Sequence, residues 1–89
     1  MFSESLAEFL KSDRALKRLD ISCNFLDESN AGTLKASLEG NPNIIEIDVR
    51  GNIHLSDDTI ADLEEIVTKN LLNSKGIPYK KLTDLVDNN

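Results

Sequence analysis

Two stretches of the chain carry the same short alternation of apolar and polar positions. ALKRLDISCN (15–24) and NIIEIDVRGN (43–52) align so that Leu16, Leu19, Ile21 and Asn24 match Ile44, Ile47, Val49 and Asn52. The last apolar positions of each phrase alternate with polar ones, as a short half-buried strand requires. The second phrase is richer in β-branched residues, which suit a pleated surface. Between and around these phrases the period changes. Leu6 and Leu10, then Ala31, Leu34 and Leu38, then Ile60, Leu63 and Val67 recur at helical spacing, and Phe2 extends the first set. The predicted order is helix, strand, helix, strand, helix.

The pattern repeats at a fixed distance. Leu6 and Leu34 stand 28 residues apart, Leu34 and Leu63 stand 29 apart, and Leu10, Leu38 and Val67 keep step with them. Asp13, Asn41 and Asn70 fall at matching places and are expected to end the three helices. A period of this length marks a stacked repeat architecture. Local signals agree. Ser56 is a suitable N-cap, with Asp57 and Asp58 in the first turn that follows. Gly40-Asn41-Pro42 stops the second helix. His54 stands where Leu26 stands in the first unit, so Leu55 is expected to take the apolar slot through a one-residue insertion. Strand-helix-strand crossovers joining parallel neighbours are right-handed. After Asn70 no third strand phrase follows. Gly76 and Pro78 predict a loop over residues 71–78, then a short helix from Tyr79 to Val86 with Tyr79, Leu82 and Val86 on one side.

The phrase L-x-x-L-x-L-x-x-N, with a helix in each unit of 28–29 residues, resembles the leucine-rich repeats of ribonuclease-inhibitor type. The resemblance covers about Leu6 to Asn70. It implies an α/β solenoid of about two and a half repeats, with parallel strands on the concave side and helices on the convex side. The expected organisation is a half repeat (1–14), a repeat (15–42), a second repeat (43–70) and a C-terminal capping loop and short helix (71–89). Within that class, short repeats reading LDIS-x-N and IDVRGN before a polar tail are similar to those of tropomodulin-like actin caps and of axonemal subunits. That likeness implies a cytoplasmic, cytoskeletal or axonemal setting.

Composition narrows the function classes. The 89 residues suit one domain, and with only four aromatic residues the core must be aliphatic. Sixteen acidic and ten basic residues leave a net charge of −6, which argues against binding to phosphate backbones and towards a basic protein partner. One cysteine, Cys23, has no internal disulfide partner, so a reducing compartment is expected. No apolar run reaches the roughly 18 residues that span a bilayer. The opening residues contain acids and no basic n-region, unlike a secretory leader.

Candidate chemistry is sparse. With the apolar strand positions turned to the core, Arg18, Asp20, Ser22, Glu46, Asp48 and Arg50 face the other way, and the resemblance makes this the partner-binding concave face. Stacking sets Arg18 beside Glu46, Asp20 beside Asp48 and Ser22 beside Arg50. Two adjacent carboxylates repel and would draw in a cation from a partner, unless Arg18 and Arg50 neutralise them internally. Asn24 and Asn52 are expected to turn inward and satisfy backbone groups at the strand exits, with Asn24→Ala costing about 1–3 kcal/mol. Cys23 has no neighbouring base, and His54, Asp57 and Asp58 read as loop and helix-dipole residues rather than metal ligands. No cofactor, metal or catalytic residue is assigned, and an enzyme is not expected. The first strand has no neighbour on its N-terminal side, an open edge expected to dock on another chain or on further repeats. Lys75, Lys80 and Lys81, interleaved with Ile77, Tyr79 and Leu82, either dock on an acidic surface such as actin or tubulin or snorkel from an apolar cap. The expected function is a non-catalytic interaction or scaffolding module; the alternative is a structural C-terminal cap of a longer repeat protein.

Overall fold

A computed structural model describes residues 4–77. Three helices and two strands follow one another as α1 (Glu4–Ser12), β1 (Arg18–Asp20), α2 (Glu28–Glu39), β2 (Glu46–Asp48) and α3 (Asp57–Ser74). The strands pair in parallel, with Arg18 opposite Glu46, Leu19 opposite Ile47 and Asp20 opposite Asp48. Backbone bonds continue the pairing beyond both ends. Ile45 N donates to Lys17 O at 2.8 Å, and Cys23 N donates to Arg50 O at 2.8 Å. The matched apolar phrases therefore lie side by side in the register that their alignment predicts. The result is a small α/β arrangement around a two-stranded parallel sheet.

The helices pack in sequence order, with α2 between α1 and α3 and with α3 also against β2. The core is aliphatic throughout. Leu10, Leu26, Leu34, Leu38, Ile44 and Leu63 are fully enclosed, and Ala7, Leu19, Ile21, Ala31, Val49, Leu55 and Val67 complete the cluster. Each lies on the face its spacing selects. Leu55 is buried while His54 is exposed, because the turn after β2 is one residue longer than the turn after β1.

Polar side chains bind successive layers together. The Asn41 amide donates to Leu10 O and Asp13 O, both at 2.6 Å, and its oxygen accepts from Asn43 N. One layer on, the Asn70 amide donates to Asn41 O at 3.1 Å and Ile44 O at 2.9 Å. Ser37, enclosed between α1 and α2, donates to Ala7 O at 3.2 Å. Buried amides stay only where hydrogen bonds replace water, and among the described residues every buried side-chain nitrogen and oxygen is partnered.

Two expectations need correction. The third helix does not end at Asn70, and residues 71–74 are not loop. α3 runs on to Ser74 because nothing like Gly40-Asn41-Pro42 interrupts it, and because Leu71 and Leu72 are half-buried. It stops at Gly76, in the left-handed conformation (φ 73°), with Gly76 N donating to Asn73 O and Ile77 N to Leu72 O. This paired closure is the Schellman arrangement, which favours glycine just past a helix. The structure also departs from expectation at Asn24, which is only half-buried. Phe2 and the helix expected over Tyr79 to Val86 lie outside the described residues.

Candidate interaction surface

The strand exits set the geometry of the outer face. Asn52 is buried and makes four bonds. Its oxygen accepts from Asn24 N and Leu26 N, each at 3.1 Å, and its amide donates to Ile21 O at 3.0 Å and Val49 O at 2.8 Å. Three of those four partners belong to the preceding turn. Asn24 does not turn inward in this way. It is half-buried, and its amide reaches only Ser22 O in its own turn, at 3.0 Å. Asn52 is buried because an earlier turn offers it orphaned backbone groups, whereas among the described residues no strand pairs with β1 on its other side to offer Asn24 the same.

The chain also crosses itself closely here. Gly51 is left-handed (φ 77°), and a Cβ at this position would stand 2.6 Å from Cys23 Sγ. Cys23 holds the matching place in the first phrase and shares the left-handed conformation, at φ 55°. Phe25 follows at φ 54°, an uncommon state for an aromatic residue.

Along the strands, Arg18, Asp20, Glu46 and Arg50 are exposed, and Ser22 and Asp48 are half-buried. These six side chains form one row in register, yet each charge has a partner in the chain. Arg18 Nε lies 2.8 Å from Glu46 Oε2. Arg50 grips Asp48 with two bonds, Nε to Oδ1 at 3.0 Å and Nη2 to Oδ2 at 2.9 Å. Asp20 Oδ1 accepts from Ser22 N at 3.0 Å and Ser22 Oγ at 2.7 Å, and Asp48 Oδ1 accepts from Arg50 N at 3.1 Å. Both aspartates thus close an Asx turn that ends their strand. Hydrogen bonds from Ser22 hold the Asp20 carboxyl below its ordinary 3.8, although the Asp48 charge pushes the other way. The Arg50 side chain and backbone hold the Asp48 carboxyl below 3.8 as well. The carboxylate pair expected to draw in a cation from outside is answered by Ser22 and Arg50. Arg18, the other neutraliser considered, is held by Glu46.

Beside β2 the surface opens into a groove of about 710 Å³. Ile47 and Ile60, both half-buried, and the exposed Ile53 line it together with the charged Arg18, Arg50, Asp57 and Glu64. Large apolar side chains are also exposed on the turns. Phe25 and Ile53, each the residue after a strand-exit asparagine, are 71% and 77% exposed. The alternation did not single them out, because both fall outside the strand and helix periods. The signal that marks them is their shared place after Asn24 and Asn52.

Cys23 is exposed and unpaired in a disulfide, and His54 is exposed in the second turn. Among the described residues no group of three or more His, Cys, Asp or Glu side chains converges as metal ligands do. No helix among them is long and apolar enough to cross a membrane. Comparison with protein-family models, with curated proteins and with solved structures gives no match.

Proposed function

We propose that this chain is a non-catalytic protein-interaction or scaffolding module built as a short leucine-rich-repeat solenoid of ribonuclease-inhibitor type, with its strands on the concave side. The setting that fits the repeat phrases is a larger cytoplasmic assembly, cytoskeletal or axonemal. The observation that supports this reading is the in-register row of Arg18, Asp20 and Ser22 against Glu46, Asp48 and Arg50 on parallel strands. Such a row presents regularly spaced charge on a rigid support, and the layers beneath it are bonded together by Asn41, Asn52 and Asn70. The alternative, a structural cap at the end of a longer stack, draws on α3. That helix is 18 residues long against 12 for α2, and terminal units of stacks depart from the repeat.

The test keeps the turns and removes charge. Asn can accept the same bond from the residue two places on, so Asp20→Asn/Asp48→Asn retains both Asx turns. The expected result is a folded variant with a modestly lower melting temperature, since both ionised carboxylates stabilise the fold, and at least tenfold weaker binding to a partner isolated from the native source. Unchanged affinity in a folded double variant would sink the strand-face reading.

A further inference from the structure

We propose that Phe25 and Ile53 form a docking ridge for a basic protein surface that sets lysine or arginine side chains around an apolar recess. The proposal rests on the interaction reading above but places contact at the strand-exit turns. The two residues stand on adjacent turns, since Asn24 N and Leu26 N, which flank Phe25, both bond to Asn52, which precedes Ile53. Both side chains leave the core at 71% and 77% exposure, in a chain whose other turn leucines, Leu26 and Leu55, are buried. Phe25 does so in a left-handed backbone that suits asparagine or glycine better than an aromatic. The turn presents the N–H groups on either side of Phe25 to Asn52, but that bonding does not need an aromatic ring in water, and strain of this kind collects at functional sites.

Charge chooses the occupant. Residues 19–34 and 51–68, which carry the two turns and the helix starts beyond them, contain no lysine or arginine. Asp57 and Asp58 stand exposed in the first turn of α3 next to Ile53, and Asp27 and Glu28 follow Phe25. The cations Lys11, Arg14, Lys17 and Lys75 lie at the opposite ends of the elements, where helices finish and strands begin. Arg50, exposed at the exit of β2, is taken up by its two bonds to Asp48, so the ridge stands in a net acidic field that selects a cationic partner and repels an acidic one.

Phe25→Asn/Ile53→Ser tests this on the full chain. Asparagine accepts the left-handed conformation, so the variant should melt at or above the parent temperature. The probe is a synthetic peptide alternating lysine and leucine, with a glutamate-leucine peptide as its counterpart. In amide spectra the lysine peptide should shift Phe25, Ile53, Asp57 and Asp58, the glutamate peptide should shift none, and the double variant should bind at least tenfold more weakly. Equal affinity in the variant overturns the proposal. So does a clearly lower melting temperature, which would assign both side chains to folding. Concentration-dependent sedimentation lost in the variant also overturns it, because the ridge would then meet a second copy. A native partner lost by Asp20→Asn/Asp48→Asn but kept by the ridge variant preserves the interaction reading and removes the ridge from it.

Discussion

At the strand exits single residues carry large consequences. Asn52 bonds two backbone N–H and two carbonyl groups, three of them in the preceding turn, whereas Asn24 bonds one carbonyl in its own. Orphaning a buried group costs about 1–3 kcal/mol. Asn52→Ala should therefore lower stability by on the order of 3 kcal/mol, and Asn24→Ala by clearly less, as urea denaturation of the two variants will report. Equal losses would argue against the layer-to-layer role of Asn52. Gly51 is constrained twice, by its φ of 77° and by Cys23 Sγ. Gly51→Ala should cost about 1–3 kcal/mol. Part of that loss should return in Cys23→Gly/Gly51→Ala, where the facing sulfur is gone; strictly additive losses in this cycle would separate the two positions.

Elements join through their ends as much as through their faces. Asp27 caps α2, accepting from Asn30 N while Asn30 bonds back to Asp27 N, and Ser56 caps α3 by accepting from Thr59 N. Glu28, in the first turn of α2, links the two caps. It accepts from Thr59 Oγ1 at 2.7 Å and Ser56 N at 3.2 Å. Those bonds, the Thr59 hydroxyl first, hold its carboxyl below the ordinary 4.5. A carboxyl lowered on folding stabilises the fold above its unfolded pKa and loses that contribution as pH falls through the folded value. With Asp20 and Asp48 lowered in the same sense, melting temperature should fall as pH drops below about 4.5 and 3.8 in turn. Glu28→Gln should flatten the upper part of that decline; an identical acid profile would leave Glu28 without a linking role. Ser56 was legible as a cap from its place before two aspartates. The box formed by Asp27 and Asn30 carried a weaker signal, because asparagine at that position is a less usual partner than glutamate. The end of α3 was misplaced because repetition predicted a stop at Asn70, while the local residues there favour continuing the helix.

Across the whole molecule, charge separates along the strand direction. The strand-exit side is net acidic with apolar tips, its Arg50 paired with Asp48, and the strand-entry side carries Lys11, Arg14, Lys17 and Lys75. This follows from topology, since parallel strands and the helices returning between them bring like ends of every unit together. The mixed groove beside β2 belongs to the same geometry, because no further strand pairs with β2 among the described residues. Sequence alone determined the element order, the buried face of each helix and the pairing of Leu19 with Ile47, because each follows from spacing that repeats along the chain. Only the tertiary structure decided which amide is buried, how the aspartates are satisfied and that Phe25 and Ile53 meet solvent on turns joined through Asn52. Those outcomes depend on what the neighbouring layer offers at each point, and a residue's own surroundings in the chain do not specify that.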